Sequence, residues 1–180
     1  MPTARETFAS SIKDAVELLA HFNAINVQPP PPNAEVLKRA GLTMACTAWE
    51  TNVEDRVQEA VKQRLGEGGA DFHKHFVLRQ LALSLKQFNN PNSEKTCKLF
   101  SDYLGIDVSE GWTWNNYDRA RARSDLDALM KKRGDAVHRS KAPSTGSPPA
   151  HLVKKKELEK AIKFLTSLVE ATDKATLLLN

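Results

Sequence analysis

NAEVLKRAGLTMACTAWETNVEDRVQEAVKQRLG, residues 33–66, decides the fold class of this 180-residue chain. Its apolar and small residues Leu37, Gly41, Met44, Ala45, Ala48, Trp49, Val53, Val57, Ala60, Val61 and Leu65 recur every three or four positions, the period of an α-helix. Asn33 suits an N-cap and Gly66 a stop, so the stretch predicts one long amphipathic helix. Upstream, Pro29 to Pro32 cannot continue a helix, because proline lacks the amide donor, and residues 28–33 read as an extended linker. Before it, Phe8, Ile12, Ala15, Val16, Leu19 and Phe22 share one helical face.

Downstream, Gly66 to Gly69 form a turn, and Phe72, Phe76, Val77, Leu81, Leu85 and Phe88 outline a third helix. Asn89 to Asn92 break it. A short fourth helix begins near Ser93 and closes at Gly105, where a left-handed cap is expected. A fifth covers about Tyr117 to Val137. Residues 140–149, rich in Pro, Ser and Gly, predict a mobile loop, and a last helix starts near Pro149. No stretch alternates with a period of two. The expectation is an all-α protein: a bundle of five to six helices in a single domain over residues 1–180.

With 41% hydrophobic and 27% charged residues the chain is globular, not disordered. No apolar run approaches the roughly 20 residues that span a bilayer. The N-terminal MPTARETFASS has no apolar secretory core, so a cytoplasmic protein that does not engage a membrane is expected. Cys46 and Cys97 lack zinc spacing and read as free thiols. His73 and His75, two apart, point to different sides of a helix, and neither a metal nor another cofactor is expected. No Gly-rich phosphate loop argues for a nucleotide site. The net charge is only +4, but cations crowd the later part of the chain: Arg119, Arg121 and Arg123, then Lys131 to Arg133, Arg139 and Lys141, and Lys154 to Lys156. A polyanionic partner fits that distribution.

RGDAVH, residues 133–138, sets an arginine and a histidine five positions apart at the end of the fifth helix. Arginine carries a permanent charge on a planar fork that fits a phosphate, and histidine exchanges protons near neutral pH. The pair suggests phosphodiester chemistry. The bland reading is a helix-end cation and a capping or surface histidine. Positions five apart on a regular helix diverge by about 140°. The spacing therefore favours a composite site from two chains, with a distortion of the helix near Gly134, which weakens it by roughly 1 kcal/mol relative to alanine.

TAWETNVED (residues 47–55), FNNPNSEKTCKLFSDYLGIDVSEGW (88–112) and LDALMKKRGDAVH (126–138) together resemble the HEPN superfamily, and within it the RiboL-PSP-HEPN group, over most of the chain. The resemblance implies helical, usually homodimeric proteins. Many of these are metal-independent endoribonucleases of toxin–antitoxin, abortive-infection or other defence systems, and Arg133 and His138 match their Arg-x4-6-His motif. It implies RNA as substrate and an antitoxin or defence-system protein as partner. Two positions depart from the usual pattern. Gly134 stands where a polar residue commonly follows the arginine, and Arg139 where glycine often follows the histidine. The competing reading is a catalytically silent HEPN module for dimerisation or for a nuclease or antitoxin partner.

Around the motif, Glu50 is a candidate to orient Arg133 or polarise a histidine, against the alternative of a solvated or paired helix acid. Asp135 is a candidate for the polar group displaced by Gly134. Arg119, Arg123, Lys132 and Arg139 are candidate phosphate contacts, individually also readable as solvated faces. Trp112 and Trp114 read as core residues, with stacking on unpaired bases as the alternative.

Overall fold

The computed structural model describes residues 3–27, 31, 34–66, 72–138 and 151–177. Six helices form it: α1 (Ala4–Ile25), α2 (Ala34–Leu65), α3 (Phe72–Lys86), α4 (Ser93–Leu104), α5 (Arg119–His138) and α6 (Lys155–Leu177), with a 3-10 turn at Val108–Gly111. No strand occurs among the described residues. An isolated antiparallel bridge between Trp114 and Tyr117 closes a small turn. The all-α expectation holds.

Local chemistry sets the helix ends. Thr3 and Glu6 form a capping box at α1, with the Glu6 amide donating to Thr3 Oγ1 at 3.2 Å and the Thr3 amide to Glu6 Oε2 at 2.8 Å. Asn92 caps α4, and Gly105 ends it at φ +70°, its amide donating to Ser101. Gly66 ends α2 at φ +66°. Asp118 opens α5 by accepting from the Arg121 amide at 2.8 Å. The N-cap Asn33, the linker 28–33 apart from Pro31, and the loop 140–149 lie outside the described residues.

Three expectations change. The last helix starts at Lys155, not near Pro149, because residues 151–154 are tied down outside the helix: the Leu152 amide donates to Glu35 and the Lys154 amide to Glu157, while Val153 is buried. The apolar pattern of α3 overstates its burial. Only Leu81 is buried there, and Phe72 and Phe76 stack on each other while 76% and 54% exposed. Finally, α5 runs unbroken through Gly134 to His138, so the weak residue is carried by its neighbours.

The core sits around α2, which packs against α1, α4, α5 and α6. Gly41 lets α6 approach closely, since a Cβ there would lie 2.9 Å from a Leu158 methyl carbon. Trp49 and Trp112 meet edge to face at 6.2 Å, both fully buried. Each indole N–H finds an acceptor: Trp49 donates to the Pro91 carbonyl at 3.2 Å and Trp112 to Thr172 Oγ1 at 3.0 Å. Trp112 is thus a core residue, as read from the sequence. Across the bundle, Arg56 of α2 pairs with buried Asp173 of α6 at 2.6 Å.

Replacing Trp49 by Phe keeps a ring in the core but leaves the buried Pro91 carbonyl without its donor. Urea unfolding of Trp49→Phe is expected to show a loss of about 1–3 kcal/mol. An unchanged midpoint would mean that water replaces the indole.

Candidate active site

Residues 46, 50 and 54 of α2 stand one turn apart on one face, and Arg133 of α5 lies against that face. Its Nη1 is 3.4 Å from Glu50 Oε2 and donates to Asn90 Oδ1 at 3.3 Å. Asn90 is held in the left-handed region, φ +48°, beside the Pro91 carbonyl that Trp49 grips. The core tryptophan therefore helps to place the arginine's second partner. Both members of the Arg133–Glu50 pair are four-fifths buried at the side chain. Arg133 Nε is buried with no hydrogen-bond partner among the described residues, and Glu50 Oε2 has only the ion pair. A guanidinium offers five donors, so this one is oriented without being saturated.

The surroundings are poorly solvated. Burial pushes the Cys46 thiol up to about 12, which removes it as a nucleophile. Burial, together with the charges of Glu50 and Asp55, raises the Glu54 carboxyl to about 7. Two carboxyls one turn apart thus differ: Glu50 holds the arginine, while Glu54 carries a proton for part of the time near neutrality. Glu54 and Asn90 were not singled out in the sequence. The four-residue spacing of Glu50 and Glu54 was a usable signal; the contact of Asn90 with α5 depends on a loop and had none.

Of the other sequence candidates, Asp135 sits two positions beyond Arg133, on a different side of α5. His138 closes α5, but its side chain lies outside the described part of the structure, as does Arg139. Arg119 stands about 21 Å along the helix from Arg133 and is engaged with the 3-10 turn, pairing with Asp107 and donating from Nε to Ser109 Oγ at 3.0 Å. Arg123 is half-buried near Cys97. Lys132 pairs with Glu157 at 2.5 Å. Arg119 and Lys132 are therefore committed internally before any ligand arrives. No group of three or more His, Cys, Asp or Glu suited to a metal occurs among the described residues.

An all-helical bundle of this kind is the architecture of a HEPN domain. The family model for RiboL-PSP-HEPN matches residues 8–177, and the chain belongs to that family. HEPN domains are often ribonucleases, so a nuclease or a related role is the level of function that membership supports. No curated protein and no solved structure matches the chain. No described helix is long and apolar enough to cross a membrane.

The raised Glu54 carboxyl carries a stability signature. Its folded pKa of about 7 exceeds the ordinary 4.5, so its contribution is complete below about pH 4.5 and is lost as pH rises through 7. Glu54→Gln removes that loss. In urea unfolding the variant is expected to gain on the wild type by about 1–2 kcal/mol more at pH 8 than at pH 5, solvent screening included. A difference independent of pH would mean that Glu54 titrates normally.

Proposed function

We propose that this protein is a metal-independent endoribonuclease whose site is shared between two copies of the chain. The observation that carries this reading is Arg133: about four-fifths buried at the side chain, oriented by Glu50 and Asn90, and five residues before His138. In the proposed reaction one His138 takes the proton from the ribose 2′-hydroxyl, and that oxygen attacks the adjacent phosphorus. The bond to the departing 5′-oxygen breaks as the other His138 gives it a proton. The products carry a 2′,3′-cyclic phosphate and a 5′-hydroxyl.

One imidazole cannot hold both protonation states at once, whereas two can. The continuous α5 adds a geometric reason. With no break at Gly134, positions 133 and 138 diverge by about 140°, which favours an arginine and a histidine from different copies on one phosphate. Arg133 would bind the phosphate and offset the charge growing on its oxygens, an effect worth roughly 3–4 kcal/mol per donor. Glu50 is a positioning residue in this scheme. The toxin or defence role, the cytoplasmic setting and an antitoxin or defence-system partner rest on the family resemblance.

A second reading has one observation in its favour. Arg133 already owns a carboxylate, and a buried Arg–Glu pair can be purely structural, which suits a silent dimerisation or adaptor module.

Labelled mixed-sequence RNA incubated with EDTA separates the two. Wild type is expected to cut RNA but not DNA, leaving cyclic phosphates. His138→Ala and Arg133→Ala should lose at least about a hundredfold in rate, and Glu50→Gln about tenfold. Equal, absent cutting by all of them in a folded dimer favours the adaptor.

A further inference from the structure

Along its outer face α6 sets Lys156, Lys160, Lys163 and Lys174 at steps of four, three and eleven, so all four lie in one stripe of exposed cations. Lys156, Lys163 and Lys174 have no ion-pair partner among the described residues; Lys160 stands 3.6 Å from Asp125. Facing the stripe is the turn 113–117, closed by mutual backbone bonds between Trp114 and Tyr117. Between turn and helix lies a groove of about 870 Å³, within the size range of ligand sites, about 300–1,000 Å³.

The groove's aromatic wall is rigid. Trp114 and Tyr117 stack at 4.6 Å with 17° between their planes, and both lean on Phe164 at 6.0 and 5.5 Å. The Tyr117 hydroxyl donates to Asp125, and the Arg121 guanidinium sits 4.8 Å above the Tyr117 ring. Two acids, Glu159 and Glu170, line the same groove, Glu170 between Lys163 and Lys174, against five cations: Arg121, Lys156, Lys160, Lys163 and Lys174. A smaller trough of about 240 Å³ between α5 and α6 shares Lys160 and Phe164 with this groove and reaches Lys132, which precedes Arg133 in sequence and lies about 100° from it around α5.

We propose that this groove is an RNA-contact surface separate from the candidate active site, holding an unpaired strand and leading it along α6 towards Arg133. The destination rests on the ribonuclease reading; the binding does not. Lys156, Lys160 and Lys163 lie about one turn apart, near 5.4 Å, with Lys174 about 16.5 Å further along, and such a row meets phosphates without reading sequence. Trp114, backed by Tyr117 and Arg121, offers a base a stacking surface, which a strand with free bases can use and a duplex, with its bases paired inside, cannot.

The test is fluorescence anisotropy with a short labelled unpaired RNA of mixed sequence, on the full chain carrying Arg133→Ala so that the probe survives. Adding Lys156→Gln, Lys163→Gln and Lys174→Gln together should weaken binding about tenfold or more and flatten the plot of log K against log salt by about 2. Lys13→Gln, Lys62→Gln and Lys86→Gln, the same charge change placed on α1, α2 and α3, should leave affinity within about twofold. Equal losses in both triple variants, or no loss in the groove variant, overturn the proposal. So does a duplex or an acidic peptide that competes as well as the unpaired strand. Groove-dependent binding by a protein that never cuts would refute the nuclease and keep the groove; cutting that ignores the groove lysines, with binding unchanged, would do the reverse.

Discussion

The hydrogen bond from the Trp49 indole to the Pro91 carbonyl is the contact on which the arrangement of this bundle turns. Trp49 is buried in the middle of α2, and its ring abuts Trp112, which in turn is bonded to Thr172 on α6. One aromatic pair thereby links α2, the segment before α4, the 3-10 turn and α6. The segment after Phe88 has no regular structure of its own, so its path must be set from outside. With Pro91 fixed by the tryptophan, Asn90 takes a left-handed conformation and its amide oxygen meets Arg133. Core packing and site geometry are therefore the same problem in this protein. A change deep in α2 reaches the arginine through two residues of loop.

Electrostatics then decides how Arg133 can be used. At 3.4 Å and an effective dielectric near 20, Glu50 attracts it by about 5 kcal/mol before desolvation is counted. Desolvation of two partly buried ions cancels much of that, so the pair is better understood as fixing position than as supplying stability. Glu54, one turn on, shows the same competition from the other side. With burial and two neighbouring carboxylates against it, its proton is retained to about pH 7. A phosphate arriving at Arg133 would compete with Glu50 for the guanidinium. Since Nε is buried, such contact would fall to the terminal nitrogens of the guanidinium.

What could be read from the sequence follows from where the information lies. Periodicity and capping are local, so α1, α2, α4 and the ends at Gly66 and Gly105 were legible. The start of α6 was not, because the non-helical residues before it are set by Glu35 and Glu157, one of them more than a hundred positions away. Periodicity also says nothing about whether a partner exists for an apolar face, and the exposed Phe72 and Phe76 on α3 follow from that gap. Within the candidate site, the sequence offered Glu50 as a partner for Arg133 or for a histidine without deciding between them or a solvated acid, whereas Asn90 required knowledge of a long-range contact. Runs of cations adjacent in sequence proved a weaker guide than their helical spacing. Arg119 and Lys132 are spoken for, while the lysines sharing one face of α6 include the unpaired ones.

That contrast bears on how such a domain can hold a polyanion. A cation already paired with a carboxylate must give up its partner to bind a phosphate, so it contributes only the difference between two similar attractions. An exposed, unpaired lysine releases only counterions, and each one adds to affinity. Lys132, beside Arg133 on α5, is of the first kind, and Lys156, Lys163 and Lys174 of the α6 stripe are of the second. If the chain acts on RNA, strong holding belongs on α6 and a finely placed but weakly binding arginine belongs on α5. This division has a kinetic merit, since a strand held at a distance from the scissile bond can be cut and released without first dissolving the ion pair that orients Arg133.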